Sequence, residues 1–426
     1  MNKKIRLFEL TFIIYALWYY LPISKALFSS NINIVFFMFY IMSMGLVVLY
    51  SLSINTNHLT PGRKCGKGIL MPIVAYMAIF FVFYKFGWKQ ADKHIRVSFT
   101  FWGTYLFYYL SGNFTYSRNR IGKVLIFAFV ATYISTFMGV ITDISVVRAL
   151  SDAGADDMIQ KGYLLRNISS IYFIQTTVLV VPLAMYYAFY KKNCKIIVRL
   201  LSMMFIGVEL YFLILASLTI SILLYVVAVV LSILCYSDEH IKGAKFIIFA
   251  VFICCLFLID FEGICNWISD NVNNKYLQER FSSLADMFGG KEASGDVGLR
   301  LDLYTSSLIT FFKNPFGIGP NYTYIPFSEG IGHHSQMLDD FARYGILAVI
   351  FYISYLKSFY QLLCDKYDKI GLRKIVIPIF ILYIGMLILN LSFRSPYESI
   401  FILYIIFSFA DNLYEKQLKT EGVKYD

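Results

Sequence analysis

The sequence predicts an all-α polytopic integral membrane protein of about twelve transmembrane helices, with one large external loop that contains short helices. Three observations carry this expectation. Of the 426 residues, 58% are hydrophobic and 15% charged, where a soluble globular chain has about 25% charged residues; mean hydropathy is +0.63. The apolar residues gather in runs close to the ~20 needed to cross a bilayer as a helix. Lys and Arg, which give a formal net charge of +11, lie in short clusters between those runs. That is the pattern of membrane topology, not of a basic face for nucleic acid, and no nucleic-acid partner is expected.

The apolar runs in chain order are 8–28, 32–54, 69–86, 94–111, 121–142, 168–190, 196–216, 217–236, 245–261, 342–363, 375–393 and 397–414. The first follows MNKKIR, carries Tyr15, Trp18, Tyr19 and Tyr20, and has no small-residue cleavage site after it. It is therefore expected as an uncleaved helix. Beyond Arg199 the chain runs to Tyr236 with Glu209 as its only charge. That length exceeds one crossing, so a division is expected near Ser217.

With both termini in the cytoplasm, the basic clusters at 63–67, 118–123, 191–199, 366–374 and 416–424 all fall inside, as short-loop Lys and Arg should. The loop 85–96, with Lys85, Lys89, Lys93 and Arg96, runs against the rule. The expected organisation is nine spans in 1–261, an external catalytic loop at 262–341, and three spans with a cytoplasmic tail in 342–426. Of seven Cys, only Cys265 falls in an external loop on this topology, so no external disulfide is expected.

The large loop and its exit carry the candidate chemistry. Residues 298–345 read GLRLDLYTSSLITFFKNPFGIGPNYTYIPFSEGIGHHSQMLDDFARYG, and long inter-element segments are usually functional. Leu303, Leu308, Ile309, Phe311 and Phe312 are spaced to form one face of a short helix lying on the membrane. NPFGIG ends it, because Pro315 cannot continue a helix and Gly317 and Gly319 permit turns. Arg300 precedes this face. Its guanidinium offers five fixed donors, suited to a diphosphate, and equally to a lipid headgroup. Arg280 and Arg343 carry the same two readings. Arg166 in YLLRNISS and Arg394 in LSFRSPYES lie at external span ends, where an arginine either snorkels or holds an anion.

His333 and His334 come next. Ser335 is expected to N-cap the helix that enters the tenth span. The positive end of that helix disfavours imidazolium, so a neutral His334 there suits a general base; an ordinary surface histidine is the alternative. Asp339 and Asp340 fit the acidic preference of a first helical turn. His333, His334, Glu329 and Asp339 have neither HxH nor HExxH spacing, so no metal site is expected. The sequence has no P-loop and no GxGxxG, and no cofactor is expected.

In this order the residues resemble the bacterial O-antigen ligase and polysaccharide polymerase superfamily. Its external-loop signature runs through an Arg, an aromatic four residues on, a proline- and glycine-bearing turn, a His–Asn pair, a Leu, and a Gly at the next helix start. Here these are Arg300, Tyr304, NPFGIG, His334 with Ser335 in place of Asn, Leu338 and Gly345. The family's mid-chain Ser–Arg pair has no counterpart in SLTIS at 217–221.

The resemblance implies an inverting, metal-independent, GT-C-like integral-membrane glycosyltransferase. Its donor would be an undecaprenyl-diphosphate-linked oligosaccharide, and its place the bacterial cytoplasmic (inner) membrane. Arg300 would stabilise the departing diphosphate and His334 deprotonate the acceptor. Arg166, Arg280, Arg394, His333 and Tyr304 would bind substrate. A chain-length regulator or a flippase would be the protein partner.

Three functions compete. A repeat-unit polymerase for O-antigen or capsule joins one lipid-linked glycan to another. A ligase moves the finished glycan to a different acceptor. A transporter or lipid flippase would carry charged or broken helices at mid-membrane and two similar halves. The halves here differ, and Glu209 is the chief mid-span acid, so the polymerase is the reading taken forward.

Overall fold

The computed structural model describes residues 5–28, 32–53, 103–143, 146, 150, 157–191, 194–216, 218–236, 260–271, 275–290, 295–319, 330–389 and 401–420. Among them there is helix and no strand. The helices are α1 (Leu7–Tyr20), α2 (Pro22–Leu27), α3 (Ile32–Ser53), α4 (103–110), α5 (Thr115–Thr142), α6 (Asp157–Leu165) and α7 (Ile171–Tyr190). They continue as α8 (Ile196–Leu215), α9 (Thr219–Tyr236), α10 (Phe261–Asn271), α11 (Lys275–Phe288), α12 (Gly295–Lys313) and α13 (Gln336–Tyr344). The last three are α14 (Ile346–Asp368), α15 (Val376–Leu389) and α16 (401–420).

Five of these are long and apolar enough to cross a membrane: α3, α5, α7, α8 and α14. The chain is thus a helical membrane protein, and the described residues support five spanning helices where the sequence suggested about twelve. The expected span 69–86, half of 94–111 and nearly all of 245–261 lie outside the described residues, as does the contrary loop 85–96. The first expected span is instead two helices. Leu21 takes extended backbone and Pro22 opens α2; a proline is well placed at a first helical turn and badly placed in an interior. The stretch after Arg199 does divide, with α8 ending at Leu215 and α9 starting at Thr219.

The bundle core is aromatic. Phe12 stacks on Phe107 at 3.9 Å between centroids. The hydroxyls of Tyr105, Tyr355 and Tyr383 form a chain with 2.8 Å at each link, joining α4, α14 and α15. A buried tyrosine hydroxyl needs a partner, and here each supplies the next. Glu209 on α8 is fully buried and accepts from Tyr133 on α5 at 2.8 Å and from Thr177 on α7. Thr177 stands where α7 passes from α-helix to a 3₁₀ turn; the helix ends in a π segment at Tyr186–Tyr190.

The short helices expected in the large loop are present. α10 and α11 pack as a hairpin, α11 leans on α12, and α12 packs on α13. α13 in turn contacts α14 and α15, which fixes the loop layer to the bundle.

Candidate active site

The site is built where α12 meets the break between α13 and α14. Gly345 separates those two helices at φ 60°, in the region glycine tolerates and other residues avoid. The residues Pro315–Gly319 fill the break. Ile346 donates its N–H to the Pro315 carbonyl at 2.7 Å, Ile318 donates to Ala342 O and Gly319 to Arg343 O, each at 3.0 Å. The turn thereby satisfies the last carbonyls of one helix and the first amide of the next, groups that helix ends leave without partners. Only glycine fits this contact. A Cβ on Gly345 would stand 2.1 Å from Pro315 O, and one on Gly317, itself at φ 83°, would stand 2.3 Å from Arg343 O.

The segment 330–335 is pinned to α12 by a buried polar face. Arg300, Leu303, Ser307 and Thr310 recur at helical spacing on one side of that helix. Thr310 Oγ1 donates to Gly330 O at 3.0 Å and accepts from Gly330 N at 2.7 Å. Ser307 Oγ accepts from Gly332 N at 2.9 Å and donates to Asp339 Oδ1 at 2.7 Å. Gly332 lies so close to α12 that a Cβ there would be 2.3 Å from Leu303 O. The opposite face of α12 exposes Leu301, Leu308, Ile309 and Phe312. That inversion, polar side inward and apolar side outward, suits a helix against lipid. Of the expected face, Leu308, Ile309 and Phe312 are exposed, whereas Leu303 is buried and half-buried Phe311 packs on Phe341 of α13 at 5.5 Å between ring centroids.

Three consecutive anchors surround His334. Gly332 before it is held by Ser307. His333 sits at φ 61°, a conformation uncommon outside glycine that must be held by its surroundings. Ser335 after it is fully buried and accepts from Leu338 N at 3.1 Å. Ser335 is thus an N-cap, of α13 and not of the spanning helix, because Gly345 interrupts the two. His334 itself is exposed, at the N-terminal end of α13, carried by backbone fixed on both sides.

Beneath His333 lies a buried ion network. Arg343, 5% exposed, reaches His333 Nδ1 from Nη2 at 3.0 Å and Asp340 Oδ1 from Nη1 at 3.2 Å. Asp340 Oδ2 also accepts from Gln336 at 2.7 Å and from the Tyr352 hydroxyl at 2.8 Å. Burial opposes the Arg343 charge, but the carboxylates of Asp340 and Asp339 outweigh it and raise its pKa. Burial likewise pushes the Asp340 carboxyl up, against the pull of Arg343 and its other donors.

The structure therefore brings Arg300's helix, His333, His334 and Ser335 into one hydrogen-bonded unit. Tyr304, on the same helix, donates its hydroxyl to Leu389 O at the end of α15 at 2.8 Å. Arg166 is exposed in the turn after α6, a helix that packs on α2. Arg280 lies on α11, its side chain outside the described residues, and Arg394 is outside them altogether. Sequence reasoning missed Ser307, Thr310, Gly332 and the inward role of Asp339 and Asp340. Two signals were present: hydroxyl residues at helical spacing inside an apolar helix, and a second Gly-Ile-Gly at 330–332 echoing the first at 317–319.

No curated protein matches the chain. Residues 203–353 match a family model described as O-antigen ligase; the match includes Arg300, Tyr304, His333, His334 and Gly345 and leaves out Arg166 and Arg394. Over that segment the chain is similar to the O-antigen ligase family, in keeping with the order of its motifs.

Proposed function

We propose that this protein is a membrane glycosyltransferase that polymerises lipid-linked oligosaccharide repeat units at the outer face of the cytoplasmic membrane. The observation that carries the reading is His334. It is an exposed imidazole on a segment anchored at Gly332, His333 and Ser335, in one unit with the helix bearing Arg300. Fixed geometry of this kind is what transfer between two bound substrates requires.

In the proposed reaction the acceptor hydroxyl attacks the anomeric carbon of the donor glycan. The bond to the lipid diphosphate breaks with inversion, and the hydroxyl proton passes to His334. The transition state is oxocarbenium-like, with negative charge growing on the departing diphosphate. Arg300 supports that charge through fixed donors. Arg166, Arg280 and Arg394 would serve the two anionic heads that a polymerase must hold together. His333 and Tyr304 would line the glycan path.

The family description favours a second reading, transfer of the glycan to a different acceptor. Reconstitution with one purified lipid-linked repeat unit separates the two. A ladder of lipid-linked oligomers from that single substrate is expected. Product that forms only after a second, different acceptor is added would replace polymerase with ligase.

A further inference from the structure

We propose that Arg343 is a positioning residue: it locks His333 as the tautomer with bare Nδ1 and protonated Nε2, and so fixes the backbone that aims His334. The proposal rests on the glycosyltransferase reading for its catalytic meaning, but the lock itself does not.

The argument is one of donors and acceptors. A guanidinium has five N–H donors and no acceptor. Its Nη2 lies 3.0 Å from His333 Nδ1, so that nitrogen must present a lone pair. In a neutral imidazole the proton then sits on Nε2. An imidazolium would turn an N–H toward a permanent cation and lose the bond. Arg343 cannot swing away to relieve this, because Asp340 holds Nη1 and is itself held by Gln336 and Tyr352. The chain of contacts runs from Tyr352 on the spanning helix α14 to the strained residue beside His334.

This assignment separates Arg343 from the diphosphate-binding arginines, among which its loop position would otherwise group it. Its side chain is buried and directed to Asp340 and His333. The positive φ of His333 adds a second constraint. Gly332 and Ser335 are held by other groups, and Arg343 grips the His333 ring between them.

The test uses the full-length protein in nanodiscs, with two independent readouts. The first is nitrogen NMR of ¹⁵N-histidine-labelled protein, the His333 signal being identified by its loss in His333→Asn. The expected result is a bare Nδ1 and a protonated Nε2, changed in Arg343→Lys; a protonated Nδ1 in the wild type overturns the lock. The second is oligomer formation from lipid-linked repeat units. Asparagine tolerates positive φ and offers an acceptor for Arg343, glycine supplies only the conformation, and alanine neither. Activity should fall in the order His333→Asn, His333→Gly, His333→Ala, with the last down roughly 10- to 100-fold through misplacement. Arg343→Lys should lower kcat and leave KM for the lipid-linked substrate near its original value. A raised KM with unchanged kcat would make Arg343 a binding residue and overturn the proposal. If Arg343→Lys fails to fold, the His333 series and the wild-type spectrum still decide it. Should His334→Ala retain full transfer while the tautomer is as expected, the catalytic reading fails and the lock stands.

Discussion

The Asp340 network and the cluster around Asp411 are both buried ion networks, and they differ in where they lead. Asp411 on α16 takes Arg118 of α5 at 2.9 Å and Lys366 of α14 at 2.6 Å, with the Tyr108 hydroxyl at 3.3 Å. All three charged side chains are nearly enclosed, at 10–13% exposed, and stand on helices of the bundle. Among the described residues this network clamps helices to one another. The Asp340 network begins equally deep, at Tyr352, but it reaches half-buried His333 at φ 61°. Burial and charge are common to both. What distinguishes the second is that its rigidity is delivered to a strained residue next to an exposed imidazole.

The sharpest way to break the comparison is His334→Ala. A general base contributes about 10²–10⁴-fold, so oligomer formation should fall by that factor while membrane abundance stays at the wild-type level. Activity within twofold of wild type would remove the site from the second network's end, and with it the distinction.

Next come the two acids. Removing one partner of a buried pair costs about 3–5 kcal/mol, because the other charge is left stranded. Asp411→Ala and Asp340→Ala should therefore both lower the unfolding midpoint in detergent. They should part on turnover per folded molecule, with Asp340→Ala slow and Asp411→Ala unaffected. Equal turnover in the two would show that the networks do the same job.

The glycines give a smaller contrast. Gly345 and Gly371 share positive φ, at 60° and 66°. A Cβ at Gly345 meets Pro315 O at 2.1 Å, while one at Gly371 meets nothing within 4 Å. Gly371→Ala should cost only the left-handed penalty of about 1–2 kcal/mol. Gly345→Ala should cost more and should also weaken transfer, since it displaces the Pro315–Gly319 turn. Thermal unfolding of both variants checks this.

The smallest effect belongs to Ser335. Ser335→Ala removes an N-cap worth about 1 kcal/mol. Ser335→Asn keeps a capping oxygen and should unfold with the wild type; a stability loss as large as alanine's would mean that Ser335 does something other than cap α13.

Much of this was legible in local sequence. Charge deficit and apolar runs determine a helical membrane protein, because the bilayer admits only segments that satisfy their own backbone. The turn at Pro315–Gly319, the cap at Ser335 and the break at Pro22 follow from residue types with few conformational options. Less legible were the contacts that join distant residues. Ser307 bonds Gly332 and Asp339 across 25 and 32 positions, and no periodicity of the helix announces a partner that far away. Asp340 read as a favourable charge in a first helical turn and proved to be the buried centre of a network.

The sequence by itself determined the class of protein, the helical character of the loop's short segments and the order of Arg300, the glycine turn, His334 and Gly345 along the chain. Each depends on hydrophobicity or backbone preference acting over a few neighbours. Only the tertiary structure decided that Arg343 faces inward to Asp340 and His333, that α12 turns Ser307 and Thr310 to the core and Leu301 and Leu308 outward, and that Gly345 divides one expected helix into two. Those outcomes depend on which groups meet when helices pack, and a buried donor or acceptor takes whatever partner the packing brings within hydrogen-bond reach.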